Sequence, residues 1–380
     1  MASTNYFGNG ILNYNFAGTP FNPAPDGLIW FGLSKTVVTA QDVSCSTVTE
    51  PAATGYARKA FFNGLPVMNV TAMSYTGKDV TLAVDNITIG ANDIATGDMV
   101  TITGVDVGFS VTNIDGTWTL TGASAGQLFF TVAIQPVGAT PQTITVGEAR
   151  CVNWSISNLG SLYNNKPVTF VKSTAGNPWS TGGSPIMSVF IADDATTGAG
   201  NVLEFYTLPA PLIVPELTTV SLPAQSITIS QPTGCGTIFA INRILNYNFG
   251  NIPYTPDDGA GNLYLGLSTT LVTNAGLSSV TEPLTASGYT RMQVPDSYWD
   301  ASTGVNPASG VNLNTNITFP SNTASWGIIE SLFLSDSATR GAGNILWYKA
   351  LSPTIVIQEG TEDVFFNGGG GTGDITFTMA

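Results

Sequence analysis

The sequence predicts an all-β protein of two tandem homologous β-sandwich (jelly-roll-like) domains, the first interrupted by a small inserted β-domain. Short runs in which apolar and polar residues alternate recur along the chain, among them "MVTITGV", "GTWTLTG" and "SITIS", and this alternation is typical of half-buried strands. Gly, Asn, Asp and Pro separate the runs. No apolar period typical of a helix is read over three turns. Many short strands at close spacing favour sandwiches and small closed barrels.

The tandem arrangement follows from an internal repeat. The hexapeptide "ILNYNF" occurs twice, and three further motifs follow each copy at a nearly constant offset. The matched pairs are residues 11–16 with 244–249, "GLS" at 32–34 with 266–268, "VTEP" at 48–51 with 280–283, and "GYAR" at 55–58 with "GYTR" at 288–291. Because Leu, Tyr and Phe alternate with Asn in the hexapeptide, it is predicted to be a core strand that begins each sandwich.

The inserted domain follows from a change in that offset. "ADDATTGAGNVLEFY" at 192–206 matches "SDSATRGAGNILWY" at 335–348, which is a shorter separation than that of the earlier motifs. The first copy therefore contains a segment that the second lacks. Insertions of this size are tolerated where the two ends of an exposed loop lie close together. The predicted domains are residues 1–65 plus 151–240 (the first copy), 66–150 (the insert, Ig-like or a small barrel) and 241–380 (the second copy).

Charge excludes several partners. The chain has 25 acidic and 11 basic residues, a net charge of −14 and no basic cluster, so neither nucleic acid nor an anionic membrane is an expected partner. Only 9% of residues are charged, which suits a surface committed to contacts with other copies or a partner; a secreted β-protein with a neutral surface is the alternative. The start "MASTNYFGNG" lacks the features of a signal peptide, so assembly in a cytoplasm is expected.

Cysteine usage predicts neither a disulfide framework nor a metal knuckle. Cys45, Cys151 and Cys235 are far apart and form no CxxC motif. Buried, reduced thiols are the expected state of all three.

No catalytic residue is predicted. The chain has no His, so His-dependent nucleophilic systems are excluded, and a catalyst would depend on carboxylates. Asp193, Asp194 and Glu204 form the one acidic group that could serve a glycosidase. The second copy is read as holding Ser335-Asp336 and Trp347 at these positions, so that only Asp194, matched with Asp336, recurs. The protein is therefore predicted not to be an enzyme.

The same loops raise the question of a metal site. Asp193, Asp194 and Asp336 are the candidate calcium ligands, but each loop offers only one or two acids among small neutral residues. A turn in which Gly supplies positive φ and Asp or Asn caps the backbone is favoured over a metal loop. No metal and no cofactor is predicted.

Aromatic residues provide candidates for core and surface. Six recur in both copies and are predicted to lie in the core: Trp179, Trp326, Tyr14, Tyr247, Tyr56 and Tyr289. Trp299 and Tyr298 are read as unrepeated, which makes them the better candidates for an exposed surface.

The motifs resemble a known family. The series "LGLSTT…TEP…GYTR", "LFLSD", "NILWY" and "IVIQEGTEDVFF…GDITFTM" lies complete at 263–380. It is similar to that of tailed-bacteriophage virion β-sandwich proteins of the capsid-decoration or tail-fibre type. Residues 10–65 plus 151–231 carry a diverged version that ends in "TTVSLPAQSITIS". Residues 96–133 resemble a second phage structural module.

The resemblance implies a non-enzymatic virion protein assembled in the host bacterial cytoplasm. A capsid decoration (cement) protein is predicted, bound to the outer head and stabilising capsomer contacts. Its expected partners are the major capsid protein and copies of itself, as a dimer or trimer. The alternative is a tail-fibre or receptor-binding protein that recognises host surface glycan; a glycan depolymerase is a third class. Decoration is favoured because the sequence shows no heptads, collagen-like run or β-helix repeat that could form a shaft.

Overall fold

A computed structural model provides the fold. It describes residues 2–16, 18–19, 21–23, 28–85, 94, 98–105, 114–124, 126–137, 142–144, 147–152, 154, 161–170, 172–180, 184–230, 236–250, 254–257, 259–300, 302, 309–360, 364–368 and 374–379.

Most regular structure in this part of the chain is β-strand. The first twelve strands are β1 (Ala2–Ser3), β2 (Leu28–Ser34), β3 (Lys59–Thr76), β4 (Asp79–Val84), β5 (Met99–Thr103), β6 (Gly116–Ser124), β7 (Gln127–Thr131), β8 (Gln142–Thr143), β9 (Glu148–Val152), β10 (Ser161–Tyr163), β11 (Val168–Thr169) and β12 (Ile186–Ala192). The others are β13 (Val202–Leu212), β14 (Ser221–Leu222), β15 (Thr228–Ser230), β16 (Asn262–Ser268), β17 (Met292–Pro295), β18 (Ser309–Asn312), β19 (Ile317–Thr318), β20 (Gly327–Ser335), β21 (Ile345–Ile357), β22 (Phe365–Phe366) and β23 (Thr376–Met379). Short 3₁₀ helices span Cys45–Thr47, Gly276–Ser279, Thr285–Ser287 and Asp296–Tyr298. The all-β prediction is confirmed at the level of fold class.

The hexapeptide "ILNYNF" is helical in both copies, so its prediction as a strand is wrong. It forms the C-terminal part of α1 (Asn5–Phe16) and of α2 (Ile238–Gly250). In α1 the buried residues include Phe7, Ile11, Leu12 and Phe16, which recur at helical spacing. The period-2 pattern within six residues concealed this longer helical period.

The helices begin at matched threonine caps. Thr4 Oγ1 accepts from the N–H of Phe7 (3.4 Å), and Thr237 Oγ1 accepts from that of Ala240 (3.3 Å). Each cap also donates to its own copy's sheet, Thr4 to the Val202 carbonyl and Thr237 to the Ile345 carbonyl, both at 2.5 Å. The predicted domain boundary after residue 240 lies inside α2.

The two copies contain matched antiparallel sheets. In the first copy the strand order is β13-β12-β2-β3, with β1 added outside β13, and in the second it is β21-β20-β16-β17. Phe190 lies opposite Gly32 in the first sheet, as Phe333 lies opposite Gly266 in the second. Pairs of short strands supply further core residues: β10–β15 and β11–β14 in the first copy, β18–β23 and β19–β22 in the second.

The inserted segment is a closed barrel. Its strands pair in the order β3-β4-β7-β6-β5-β9, and β9 pairs back with β3. This closure leaves no free edge between the paired strands. The buried residues of its separate hydrophobic cluster run from Met68 to Ala149.

A single hydrophobic cluster joins the two copies. It contains Phe7, Ile29 and Leu203 from the first copy together with Leu263 and Trp347 from the second, and the side chains of both helices connect them. The two sheets therefore share one core, while the barrel has its own.

Candidate functional site

The acidic loops are structural turns in both copies. Asp193 Oδ1 accepts from the N–H of Asn201 (2.6 Å), and Oδ2 accepts from that residue's Nδ2 (2.7 Å). Asp336 makes the same two bonds to Asn344, both at 2.7 Å. Asp193 is therefore the residue equivalent to Asp336, and the predicted match of Asp194 with Asp336 is wrong by one position.

Asp194 plays a local part in its loop. Its Oδ1 accepts from the N–H of Thr196 at 2.6 Å, and this hydrogen bond lowers the pKa of Asp194. Ser337 takes the same place in the second copy, where its Oγ accepts from the N–H of Thr339 (3.2 Å). The described part of the chain contains no group of three or more His, Cys, Asp or Glu side chains able to hold a metal ion.

Glu204 differs from these loop carboxylates in its burial. It is fully buried on β13, where its backbone pairs with Ser3 and Ile191. The equivalent residue in the second copy, Trp347, is also buried. A glycosidase needs two carboxyls that face one solvent-filled cleft, and a carboxyl inside the core beside a strand partner does not offer this.

The motifs "VTEP" and "GY.R" build a buried ion pair. Arg58 binds Glu50 through two nitrogens, Nε to Oε2 at 3.1 Å and Nη2 to Oε1 at 2.6 Å. Arg291 binds Glu282 in the same way, at 3.0 and 2.7 Å. All four side chains are at most 2% exposed. A bidentate pair is the geometry in which a buried carboxylate is best compensated.

This ion pair holds the acidic loop against the sheet. Arg58 Nη1 donates to the carbonyls of Asp194 (2.6 Å) and Ala199 (3.0 Å), and Glu50 accepts from the N–H of Gly198 (2.9 Å). Equivalent bonds join Arg291 and Glu282 to the loop of the second copy. The recurring motifs thus maintain the fold, and their recurrence needs no ligand to explain it.

Tyrosine and glycine complete the same arrangement. Tyr289 Oη donates to Glu282 (3.0 Å) and accepts from the N–H of Leu267 (2.9 Å); burial, then the Glu282 charge, raises the pKa of Tyr289. The Arg291 guanidinium lies 5.2 Å from the centroid of the Phe333 ring. A Cβ at Gly266 would also collide with that ring, which explains the Gly of "GLS".

The buried thiol follows the prediction where it is described. Cys45 is free and buried, and burial raises the pKa of its thiol to about 11. The side chain of Cys151 and the whole of Cys235 lie outside the described residues.

The predictions for the aromatic residues are confirmed in part. Trp179, Trp326 and Tyr289 are buried as predicted, and Tyr56 is packed against the core. The prediction for Trp299 is wrong, because it is 4% exposed and lies in the core. Tyr298 is partly buried against the same core.

Trp299 also has an equivalent residue in the first copy, which the sequence comparison did not identify. Trp154 forms an isolated bridge with Asn164, as Trp299 does with Leu313. The inserted segment ends just before Trp154, so the two tryptophans stand at different distances from the shared motifs.

Each helix places its C-terminal phenylalanine against a tryptophan of the other copy. Phe16 of the first copy packs on Trp299 of the second, with ring centroids 4.9 Å apart. Phe249 of the second copy packs on Trp154 of the first at 5.4 Å. Each helix is capped against its own sheet and ends in the core of the other copy. Such reciprocal use of equivalent residues is the pattern of an isologous interface, here within one chain.

An open cleft lies on the first copy. It has a volume of about 390 Å³ and lies between the hairpin β12–β13 and the strands β14 and β15. Val189 and Ile227 are its buried residues, and Tyr206 at its mouth is 47% exposed. The other lining residues are Leu208, Leu222, Pro223, Ser226 and Thr228. No sequence motif marked this site; the only sign was the divergent ending "TTVSLPAQSITIS".

Comparison with known protein families gives a match to the second copy. Residues 237–369 match the family model described as "Podophage GP4 fiber I protein gp80". The matched range begins at Thr237, the cap of α2, and covers most of the second copy. No curated protein and no solved structure matches the chain.

The fold and the family match together support a class of protein, a structural component of a phage virion. Within that class the matched family is a fibre family. Separately, none of the described helices has the length and hydropathy required to span a membrane.

Proposed function

We propose that this chain is a non-enzymatic, fibre-type structural protein of a phage virion and that it recognises glycan on the host surface. The observation that carries the proposal is the match of residues 237–369 to a phage fibre family. This supports the receptor-binding alternative better than capsid decoration.

The described structure is compatible with display on a particle. The recurring polar motifs are used internally, in the ion pairs and loop turns of both copies. Because the two copies share one core, their outer surfaces are available for contacts. Glycan recognition would then fall to surfaces in which the copies differ, of which the open cleft is one. The proposed partners are further copies of the chain, other virion proteins and host glycan.

Capsid decoration is a second candidate because of the lengths of the described elements. The two α-helices have 12 and 13 residues, and the described strands form compact sheets and a barrel. A helical shaft of many heptads would need far longer helices. The two candidates differ in where and how often the chain occurs on the particle.

Particle composition tests the proposal. Purified virions would be analysed by quantitative mass spectrometry for copy number and by gold labelling of an epitope-tagged chain for position. A few to a few tens of copies on projecting fibres support the fibre role. Several hundred copies on the head lattice overturn it in favour of decoration, and absence from the particle overturns both.

Adsorption tests the recognition part. Host cells would be incubated with the purified chain before phage is added, with cells of a non-host strain as the matched control. We expect fewer phages to adsorb to the host as the chain concentration rises. Unchanged adsorption at saturating concentration would contradict a receptor-binding role.

Hydrolysis tests the non-enzymatic part. The chain would be incubated with purified host polysaccharide and the release of reducing ends followed. We expect none. Release that disappears in Asp194→Asn or Glu204→Gln would show a depolymerase instead.

A further inference from the structure

We propose that the cleft of the first copy binds one neutral sugar ring, with Tyr206 as its stacking platform. This inference rests on the proposed function and deepens it, because it assigns the glycan to a particular site. Three observations carry it: the lining of the cleft, the anchoring of its rim, and the residues at the equivalent place in the second copy.

The lining suits an uncharged ligand with one apolar face and a hydroxyl-bearing edge. None of the described lining residues carries an acidic or basic side chain, so a charged ligand group would lose hydration without a compensating partner. Val189, Leu208 and Ile227 provide apolar surface, while Tyr206, Ser226 and Thr228 bring hydroxyl groups. A pyranose ring has this character, since its C–H face is apolar and its edge carries hydroxyls. The volume of about 390 Å³ lies in the range of small-molecule sites, roughly 300–1,000 Å³.

Tyr206 is placed to stack on such a ring. It lies directly across from Val189 in the β12–β13 pair, so its side chain borders the floor of the cleft. Nearly half of its surface remains exposed. Exposed aromatic rings with an apolar body and a polar tip are favoured at recognition surfaces.

The rim is anchored by a buried asparagine. Asn164 is fully buried, and its Nδ2 donates to the Pro223 carbonyl (2.8 Å) while its Oδ1 accepts from the N–H of Ile227 (2.8 Å). Its own carbonyl accepts from the N–H of Gln225 (2.8 Å), a non-glycine residue held at φ 61°. Non-glycine residues at positive φ persist where the surroundings fix them, often at functional sites. Residues 223–227 are therefore held in a fixed turn beside the cleft.

The second copy carries different residues at the positions of Tyr206 and Asn164. Lys349 is equivalent to Tyr206, and its Nζ lies 3.5 Å from the Asp374 carbonyl across the corresponding mouth. Leu313 is equivalent to Asn164, as their bridges to Trp299 and Trp154 show. The same framework thus carries tyrosine and asparagine at these two positions in the first copy, and lysine and leucine in the second. Different residues at equivalent positions are what a ligand site belonging to one copy would leave.

Sugar binding by four proteins tests the inference. The probes are methyl glycosides of glucose, galactose, mannose and rhamnose and their neutral trisaccharides, measured by saturation-transfer NMR and calorimetry. The proteins are the full chain, Tyr206→Ala, Asn164→Leu and the matched control Lys349→Ala. Circular dichroism and thermal unfolding establish that each variant is folded.

We expect at least one neutral sugar to bind the full chain and Lys349→Ala equally. Tyr206→Ala should weaken that binding by roughly tenfold or more, the loss typical of truncating a central aromatic contact, and Asn164→Leu should weaken it less. Equal binding by all four proteins overturns the site. A different outcome would overturn the ligand class: the full chain binds decanoate or an apolar peptide but no sugar, and Tyr206→Ala loses that binding.

Adsorption separates this inference from the proposed function. If the chain blocks phage adsorption and Tyr206→Ala blocks it equally well, the cleft is wrong and the receptor-binding function stands. If the chain neither binds sugar nor blocks adsorption, both fall. Loss of sugar binding together with loss of blocking in Tyr206→Ala supports both.

Discussion

The rings of Tyr14 and Tyr247 lie 5.1 Å apart and within 7° of parallel, and the two residues hold the same position in the two copies of "ILNYNF". A residue that meets its own equivalent lies on the axis of an isologous contact. On either side of this stack, Phe16 and Phe249 cross into the opposite cores. The repeat therefore functions as an internal dimer whose two halves complete each other.

Because each helix ends in the core of the other copy, we predict that the two copies unfold together. Phe16→Ala should lower the free energy of unfolding by about 3–5 kcal/mol and should loosen both copies, because the ring fills the second core from the first copy's helix. Hydrogen–deuterium exchange should rise in β2 and β16 alike. Val37→Ala, at a 48% exposed position, is the control and should have little effect. Faster exchange confined to β16 would show that the copies are independent.

Breaking a buried ion pair should be costly. Arg291→Met leaves Glu282 buried without its partner, so we expect a loss of about 3–5 kcal/mol in urea unfolding. Arg150→Met is the matched control, because the Arg150–Glu148 pair is 33% and 46% exposed and should contribute at most about 1 kcal/mol. Similar losses in the two variants would contradict the structural role assigned to the buried pair.

The glycine of "GLS" should not tolerate a side chain. Gly266→Ala places a methyl group against the Phe333 ring, and overpacking of this kind costs about 1–3 kcal/mol. Phe333→Leu in the same chain should relieve part of that cost, so a double-mutant cycle should show coupling. Strictly additive effects would show that the ring does not restrict this position.

Acid should weaken the second copy through Glu282. Burial acts to raise the pKa of Glu282, but the hydrogen bond from Arg291, then that from the N–H of Gly341 and the Arg291 charge, outweigh it and hold the pKa below 4.5. A lowered folded-state pKa contributes stability above the unfolded value, and this is lost as pH falls below 4.5. The stability difference between the native chain and Glu282→Gln should narrow as pH falls through that range. Parallel curves from urea unfolding at each pH would contradict it.

Alkali should weaken the helix contact through Tyr14. Burial, followed by the neighbouring Tyr247, raises the pKa of Tyr14 from 10.0 to about 12. Because the folded-state pKa is raised, the contribution is complete below pH 10 and is lost as pH rises through about 12. The native chain should therefore lose stability relative to Tyr14→Phe across this window. Parallel stability curves for the two proteins from urea unfolding at each pH would contradict this.

The sequence predicted the fold class because strand alternation and turn residues are local signals. It failed at "ILNYNF", where six residues alternate like a strand while Phe7, Ile11, Leu12 and Phe16 follow a helical period. Only a longer window, together with the cap at Thr4, contains the information that the segment is a helix.

The repeat predicted matched positions well where no insertion intervened. Arg58 and Arg291 form the same ion pair although they lie 8 and 9 residues after their glutamates. The equivalence of Trp154 and Trp299 was not predicted, because the barrel lies in the sequence between Trp154 and the motifs that precede it. The cleft could not be predicted, because it depends on a turn fixed by Asn164 from a distant strand, and no local pattern encodes that distance.

The position of the barrel has a consequence for engineering and for evolution. The chain leaves the first sheet along β3 and returns along β9, and these strands are paired at Asn63 and Val152. Any compact module whose ends emerge side by side could be grafted at this point without disturbing the shared core. A chain of this design could thereby acquire a new antigen or binding module by exchange of a single segment.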